Sequence, residues 1–108
     1  MASFLIVDSD RNFREALAIA LRLDGHVAQV ASSAEEAALH LAARPYGFCV
    51  VDAHLWQAER VVQAATRAGA CPVLTGPHAD LVQSAALRVP GARALPKPFG
   101  AEALVALA

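Results

Sequence analysis

Five short apolar runs punctuate the chain, and the stretches between them repeat their apolar residues at helical spacing. The first run, Phe4 to Val7, reads as a buried strand ending on Asp8. Asp10 then caps a helix whose apolar face is Phe13, Leu17, Ala20 and Leu21, and Gly25 stops it. His26 to Ala31 predicts a weaker strand. Ser33 and Glu36 form a capping box for a second helix running through Leu39 and Leu41 and ending before Pro45. Phe48-Cys49-Val50-Val51 is an unbroken apolar run that stops at Asp52, as a strand covered on both faces would. Ala53 to Gln57 lead into a third helix with Val61, Val62 and Ala65 inward and Gly69 at its end. Pro72 to Thr75, a helix around Asp80 to Leu87, and Ala92 to Leu95 follow. Pro96-Lys97-Pro98 then forces an extended turn, and Phe99 is placed to staple onto Leu104 of a last helix.

Strand and helix alternate five times over 108 residues, which predicts one α/β domain spanning 1–108: a five-stranded parallel sheet doubly wound by helices, of flavodoxin-like architecture. The apolar fraction is 56%, but no run approaches the roughly 20 residues of a membrane span, so a soluble protein is expected. A net charge of −1 supplies no basic stripe, which argues against nucleic-acid binding within this segment. Cys49 and Cys71 have neither metal-ligand spacing nor a disulfide framework, and a reducing cytoplasm is the simple inference. The start lacks the regions of a signal peptide. The apolar end, Leu104 to Ala108, reads as a chain that continues, into an output domain. Against eight arginines there is one lysine, Lys97.

Ligands of open α/β sheets gather beyond the carboxyl ends of the strands. Those ends carry Asp8, Asp52, Thr75 and Lys97. Two carboxylates suit a hard divalent cation such as Mg²⁺, while a hydroxyl and an ammonium suit phosphoryl oxygens. Together they describe phosphoryl transfer to an aspartate.

With these residues in order, the sequence resembles the receiver domain of bacterial two-component response regulators. The resemblance rests on Leu5-Ile6-Val7-Asp8, Phe48 to Asp52, Pro72-Val73-Leu74-Thr75-Gly76, Gly91-Ala92 and Lys97-Pro98-Phe99, and it covers nearly the whole chain. It implies a signalling domain rather than a turnover enzyme. Asp52 would be the phosphoacceptor, with Thr75 and Lys97 on the phosphoryl group. Mg²⁺ would be held by Asp8, Asp52 and the His54 carbonyl, with Ser9 or Asp10 as a further contributor, and Lys97-Pro98 would be a cis peptide. The implied partners are a histidine kinase or phosphotransfer protein, and a second copy of the chain through the fourth helix, fifth strand and fifth helix, a face that includes Arg88 and Arg93.

The chain also departs from the family pattern. Ser9 stands where a second acid is usual, which predicts a weakened metal site and inefficient phosphorylation. The loop after Asp52 has Leu55-Trp56-Gln57 and no glycine, and the stretch to Thr75 is short; Trp56 reads as a partly buried anchor. Ala94 occupies the place of the usual switch aromatic. These features favour an alternative, a pseudo-receiver acting as a phosphorylation-independent interaction module. A small aspartyl-phosphate phosphatase is more remote, because Asp52 is followed two residues on by His54 and not by a second aspartate.

Overall fold

The computed structural model describes all residues, 1–108. Strands β1 (Ser3–Val7), β2 (Val27–Ala31), β3 (Phe48–Asp52), β4 (Cys71–Gly76) and β5 (Arg93–Pro96) alternate with helices α1 (Arg11–Leu23), α2 (Ala34–Ala43), α3 (Ala58–Arg67), α4 (Ala79–Leu87) and α5 (Ala101–Val105). All pairings are parallel and the order is β2-β1-β3-β4-β5, the flavodoxin-like arrangement expected from the sequence.

The period-2 alternation of side chains divides the apolar runs between two cores. Phe4, Ile6, Val50 and Val73 point to one face, under Leu17 and Leu21 of α1 and Leu104 of α5. Leu5, Val7, Cys49, Val51 and Leu74 point to the other, under α2, α3 and α4. Phe99 packs into the first core with Leu104, as a staple would. Covering on both faces is why β3 is uniformly apolar until its last residue, Asp52.

The caps form where the sequence places them. Asp10 accepts from the Phe13 amide at 3.2 Å, and Ser33 accepts from the Glu36 amide at 3.2 Å. Glu36 reaches back one residue further than a capping box requires, to the amide and hydroxyl of Ser32. Those hydrogen bonds hold its carboxyl below the usual range.

Several expectations need correction. His26, expected to open β2, precedes it: its Nδ1 accepts from the Ala2 amide at 2.9 Å and its ring meets Phe4 edge-on. Leu39 lies on the solvent side of α2, because Ala37 and Leu41 already fill the inward face. β4 is longer than expected by one residue at each end, Cys71 and Gly76, and β5 is shifted by one residue, to begin at Arg93 and end at Pro96.

The two thiols differ sharply. Cys49 is fully buried in β3, and burial pushes its thiol up to about 12. Cys71 is half-buried at the start of β4, its Sγ 3.4 Å from the Gly91 carbonyl. A disulfide-exchange reagent at about pH 8 will therefore titrate one thiol in the native protein and both after denaturation. Two fast-reacting native thiols would contradict the burial of Cys49.

Candidate functional site

The sheet register sets the carboxyl edge: Val7 pairs with Val51, Asp52 with Thr75, and Thr75 with Leu95. The residues that end β1, β3 and β4 are consequently level with one another, and the turn after β5 brings Lys97 over them. Lys97 Nζ lies 2.8 Å from Asp8 Oδ2 and 2.9 Å from Asp52 Oδ2. Its backbone amide donates to the Gly76 carbonyl at 2.8 Å, and Lys97-Pro98 is cis, as the resemblance implied.

Each carboxylate is pinned by its second oxygen as well. Asp8 Oδ1 accepts from the Asp10 amide at 2.8 Å, and Asp52 Oδ1 from the His54 amide at 2.7 Å. Asp8 is 1% exposed and Asp52 9%, so neither is a solvated strand-end charge. Burial alone would push Lys97 down. The hydrogen bonds and charges of Asp8 and Asp52 override it and hold the ammonium above the ordinary lysine range. Two carboxylates and one ammonium leave the cluster with one net negative charge, which suits a further cation better than an anion.

Two residues join the site that sequence reasoning had not assigned to it. Phe13, expected only as core, lies beneath the ammonium at 4.2 Å from Nζ and meets Phe99 edge-on. Arg14 donates to the Asp8 carbonyl at 3.1 Å and to that of Ser9 at 3.4 Å, tying the strand-end turn to α1. The available signal was position: the first turn of the helix that follows Asp8 must border the same edge.

The remaining predicted residues contribute unequally. Thr75 is fully buried, and its hydroxyl faces the Val51 carbonyl at 3.5 Å, so it reaches the edge only by turning its side chain. Ser9 is exposed and supplies a neutral oxygen. Asp10 holds its cap on α1, which keeps its Oδ1 away from Asp8 and Asp52. No group of three or more His, Cys, Asp or Glu side chains is arranged to hold a metal ion. The donor set that fits a hard cation is thus Asp8, Asp52 and the His54 carbonyl, which accepts no backbone hydrogen bond. Mg²⁺ is commonly held by only one or two carboxylates with water filling the other positions, so this set fits.

The short loop after Asp52 enters α3 through Gln57, which takes the left-handed conformation with φ 63° and ψ 34°. That conformation costs a non-glycine residue about 1–2 kcal/mol. Gln57→Gly should accordingly stabilise the fold by roughly 0.5–1 kcal/mol in urea denaturation, less whatever the exposed Gln57–Arg60 contact contributes. A loss of stability would sink that account. Trp56 is 82% exposed and anchors nothing; Leu55 is the loop residue that turns inward. His54 and His78 are exposed and stand edge to face across the mouth of the site at 6.2 Å between ring centroids. No helix is long and apolar enough to cross a membrane.

No family model matches the sequence, and no curated protein matches it. Solved structures do. A two-component response regulator from Clostridium difficile superposes with a TM-score of 0.83 at 20% identity, covering 99% of this chain and 92% of that one. A CheY-like response regulator receiver domain protein from Methanospirillum hungatei gives 0.82 at 22% identity, covering 99% and 90%. A response regulator from Burkholderia pseudomallei, with a phosphorylated aspartic acid, calcium ion and citrate, gives 0.83 at 22% identity over 98% of this chain and 65% of that one. At such identities the likeness is one of fold, and the fold is that of response-regulator receiver domains.

Proposed function

We propose that this chain is an atypical receiver domain in which Asp52 accepts a phosphoryl group. The observation that carries the reading is the single lysine held 2.8 Å and 2.9 Å from two buried aspartates at the carboxyl edge of a receiver-type sheet. An aspartyl-phosphate and a divalent calcium in the Burkholderia pseudomallei protein lend it support at the level of fold.

In this reading an Asp52 carboxylate oxygen attacks the phosphorus of a phosphohistidine on a histidine kinase or phosphotransfer protein. A P–O bond forms, the P–N bond breaks, and the imidazole nitrogen leaves with the electron pair. The His54 amide orients Asp52 through Oδ1. Lys97, fixed by Asp8 and by the Gly76 carbonyl, offers its charge to the phosphoryl oxygens as these draw level with Oδ2. Asp8, Asp52 and the His54 carbonyl would hold Mg²⁺, which supplies charge neutralisation at the phosphoryl group. Thr75 turns from the Val51 carbonyl toward the new phosphoryl oxygens, leaving a contact that at 3.5 Å is at the limit of a hydrogen bond. The usual aromatic follower of that movement is absent, since Ala94 offers only a methyl group. Output through a second copy would use the α4–β5–α5 face, where Leu81, Leu87, Arg88 and Arg93 are exposed.

One observation favours a second reading, a pseudo-receiver that binds partners without phosphorylation. Ser9 leaves the site an acid short, and Lys97 already spans both aspartates. Incubation with acetyl phosphate and Mg²⁺, followed by intact mass, separates the two. The phosphorylatable receiver gains one phosphoryl mass in the wild type and none in Asp52→Asn. No adduct at saturating metal establishes the pseudo-receiver instead.

A further inference from the structure

On the face of the sheet opposite α1 and α5, the helices α3 and α4 are not packed against each other. α3 rests on α2, β3 and β4, while α4 rests on β4 and β5. Between them lies a cleft of about 560 Å³, within the range of roughly 300–1,000 Å³ found for small-molecule sites. Its floor is Val62, Leu74, Ala53 and Ala85, and the small size of the two alanines is what leaves the space open. The cleft passes close to the candidate site: Ala53 follows Asp52, Leu74 precedes Thr75, and the Ala53 amide donates to the Thr75 carbonyl at 2.9 Å.

The rim is charged with a bias. Arg67 from the last turn of α3 and Arg88 at the end of α4 both line the cleft and are exposed. The fold's two ion pairs both belong to Lys97, so neither arginine has a carboxylate partner. Glu59 is the one acid on the rim, leaving an excess positive charge over an apolar floor. Guanidinium groups recognise carboxylates and phosphates through paired hydrogen bonds, and an apolar floor selects a hydrocarbon body.

We infer that the α3–α4 cleft is a binding site for a small amphipathic organic anion, an aromatic or branched carboxylate whose hydrocarbon part lies on Val62 and Leu74 and whose charge meets Arg67 and Arg88. The site stands whether or not Asp52 is phosphorylated.

The test uses naphthylacetate as probe and naphthylacetamide as its uncharged counterpart, followed through amide NMR spectra of the isotope-labelled full chain. Naphthylacetate should shift the amides of Ala53, Gln63, Arg67, Ala85 and Arg88 saturably, with a Kd of roughly 1 mM, as expected of a fragment of this size. The amide should bind at least about fivefold more weakly. The double variant Arg67→Gln, Arg88→Gln should bring the acid down to the affinity of the amide, and Ala85→Leu should block both. Should Ala85→Leu fail to fold, seen as lost amide dispersion, the arginine variant decides alone, since both of its side chains are exposed. Shifts that map elsewhere, equal affinity for acid and amide, or a doubled hydrodynamic mass with the same amides perturbed in the absence of probe would each overturn the proposal, the last by identifying a second copy as the occupant.

Discussion

Replacing Lys97 by methionine destabilises the protein by about 2–4 kcal/mol in urea denaturation, whereas Asp52→Asn changes stability by less than about 1 kcal/mol. The difference follows from the charge left behind. Methionine leaves two carboxylates, 1% and 9% exposed, facing each other without a cation. Asparagine leaves a neutral Asp8–Lys97 pair at 2.8 Å. Breaking a fully buried pair costs roughly 3–5 kcal/mol, and the 19% exposure of the lysine side chain brings the figure down. Loss of the contact with Phe13 adds to it. The pH dependence carries the same signature. Lys97 is held above its ordinary value of 10.5, so the stability its charge contributes is complete below that pH and is lost as pH rises through the raised value. The methionine variant lacks that alkaline loss. Equal stability of Lys97→Met and wild type at neutral pH would show that the triad contributes nothing to the fold.

Ser9→Asp raises the affinity for Mg²⁺ by on the order of tenfold or more. A unit charge about 4 Å from a cation is worth several kcal/mol in gross attraction at an effective dielectric near 20, and water returns much of that at an exposed position. Tenfold requires only about 1.4 kcal/mol to survive. Trp56 supplies the readout: it is 82% exposed and two residues from His54, whose carbonyl belongs to the donor set. Its fluorescence in the wild type should respond only at high Mg²⁺, and in Ser9→Asp at concentrations at least tenfold lower. The added acid also increases repulsion in the metal-free site, so Ser9→Asp should unfold more readily without Mg²⁺ and regain stability with it. Identical titrations for the two proteins would remove the metal from the reading of this site.

Much of this was legible in the chain. Phe48 to Val51 had to be a doubly covered strand, because an uninterrupted apolar run has no solvent face to offer. Once the elements alternated, the residues ending β1, β3 and β4 had to share an edge. Side-chain direction was not legible. Nothing in the sequence said that the Thr75 hydroxyl turns to Val51, that Trp56 faces solvent, or that Lys97 divides itself between Asp8 and Asp52. Those depend on which rotamer the neighbours leave free. The entry into α3 was hidden for another reason: Gln57 adopts a conformation for which the usual signal is glycine. Leu39 misled in the opposite sense, an apolar residue at a plausible spacing that the packing did not need.

β5 is one of the sheet's two edge strands, four residues long, and none of them is fully buried. Yet it delivers the only cation to the two most deeply set carboxylates, bridging positions 89 residues apart in the chain. The charge balance of the site is thereby tied to the strand with the least hold on the core. Wherever β5 frays, Asp8 and Asp52 stay rigidly in place while their counter-charge departs, so brief local opening changes the site's affinity for cations without unfolding the domain.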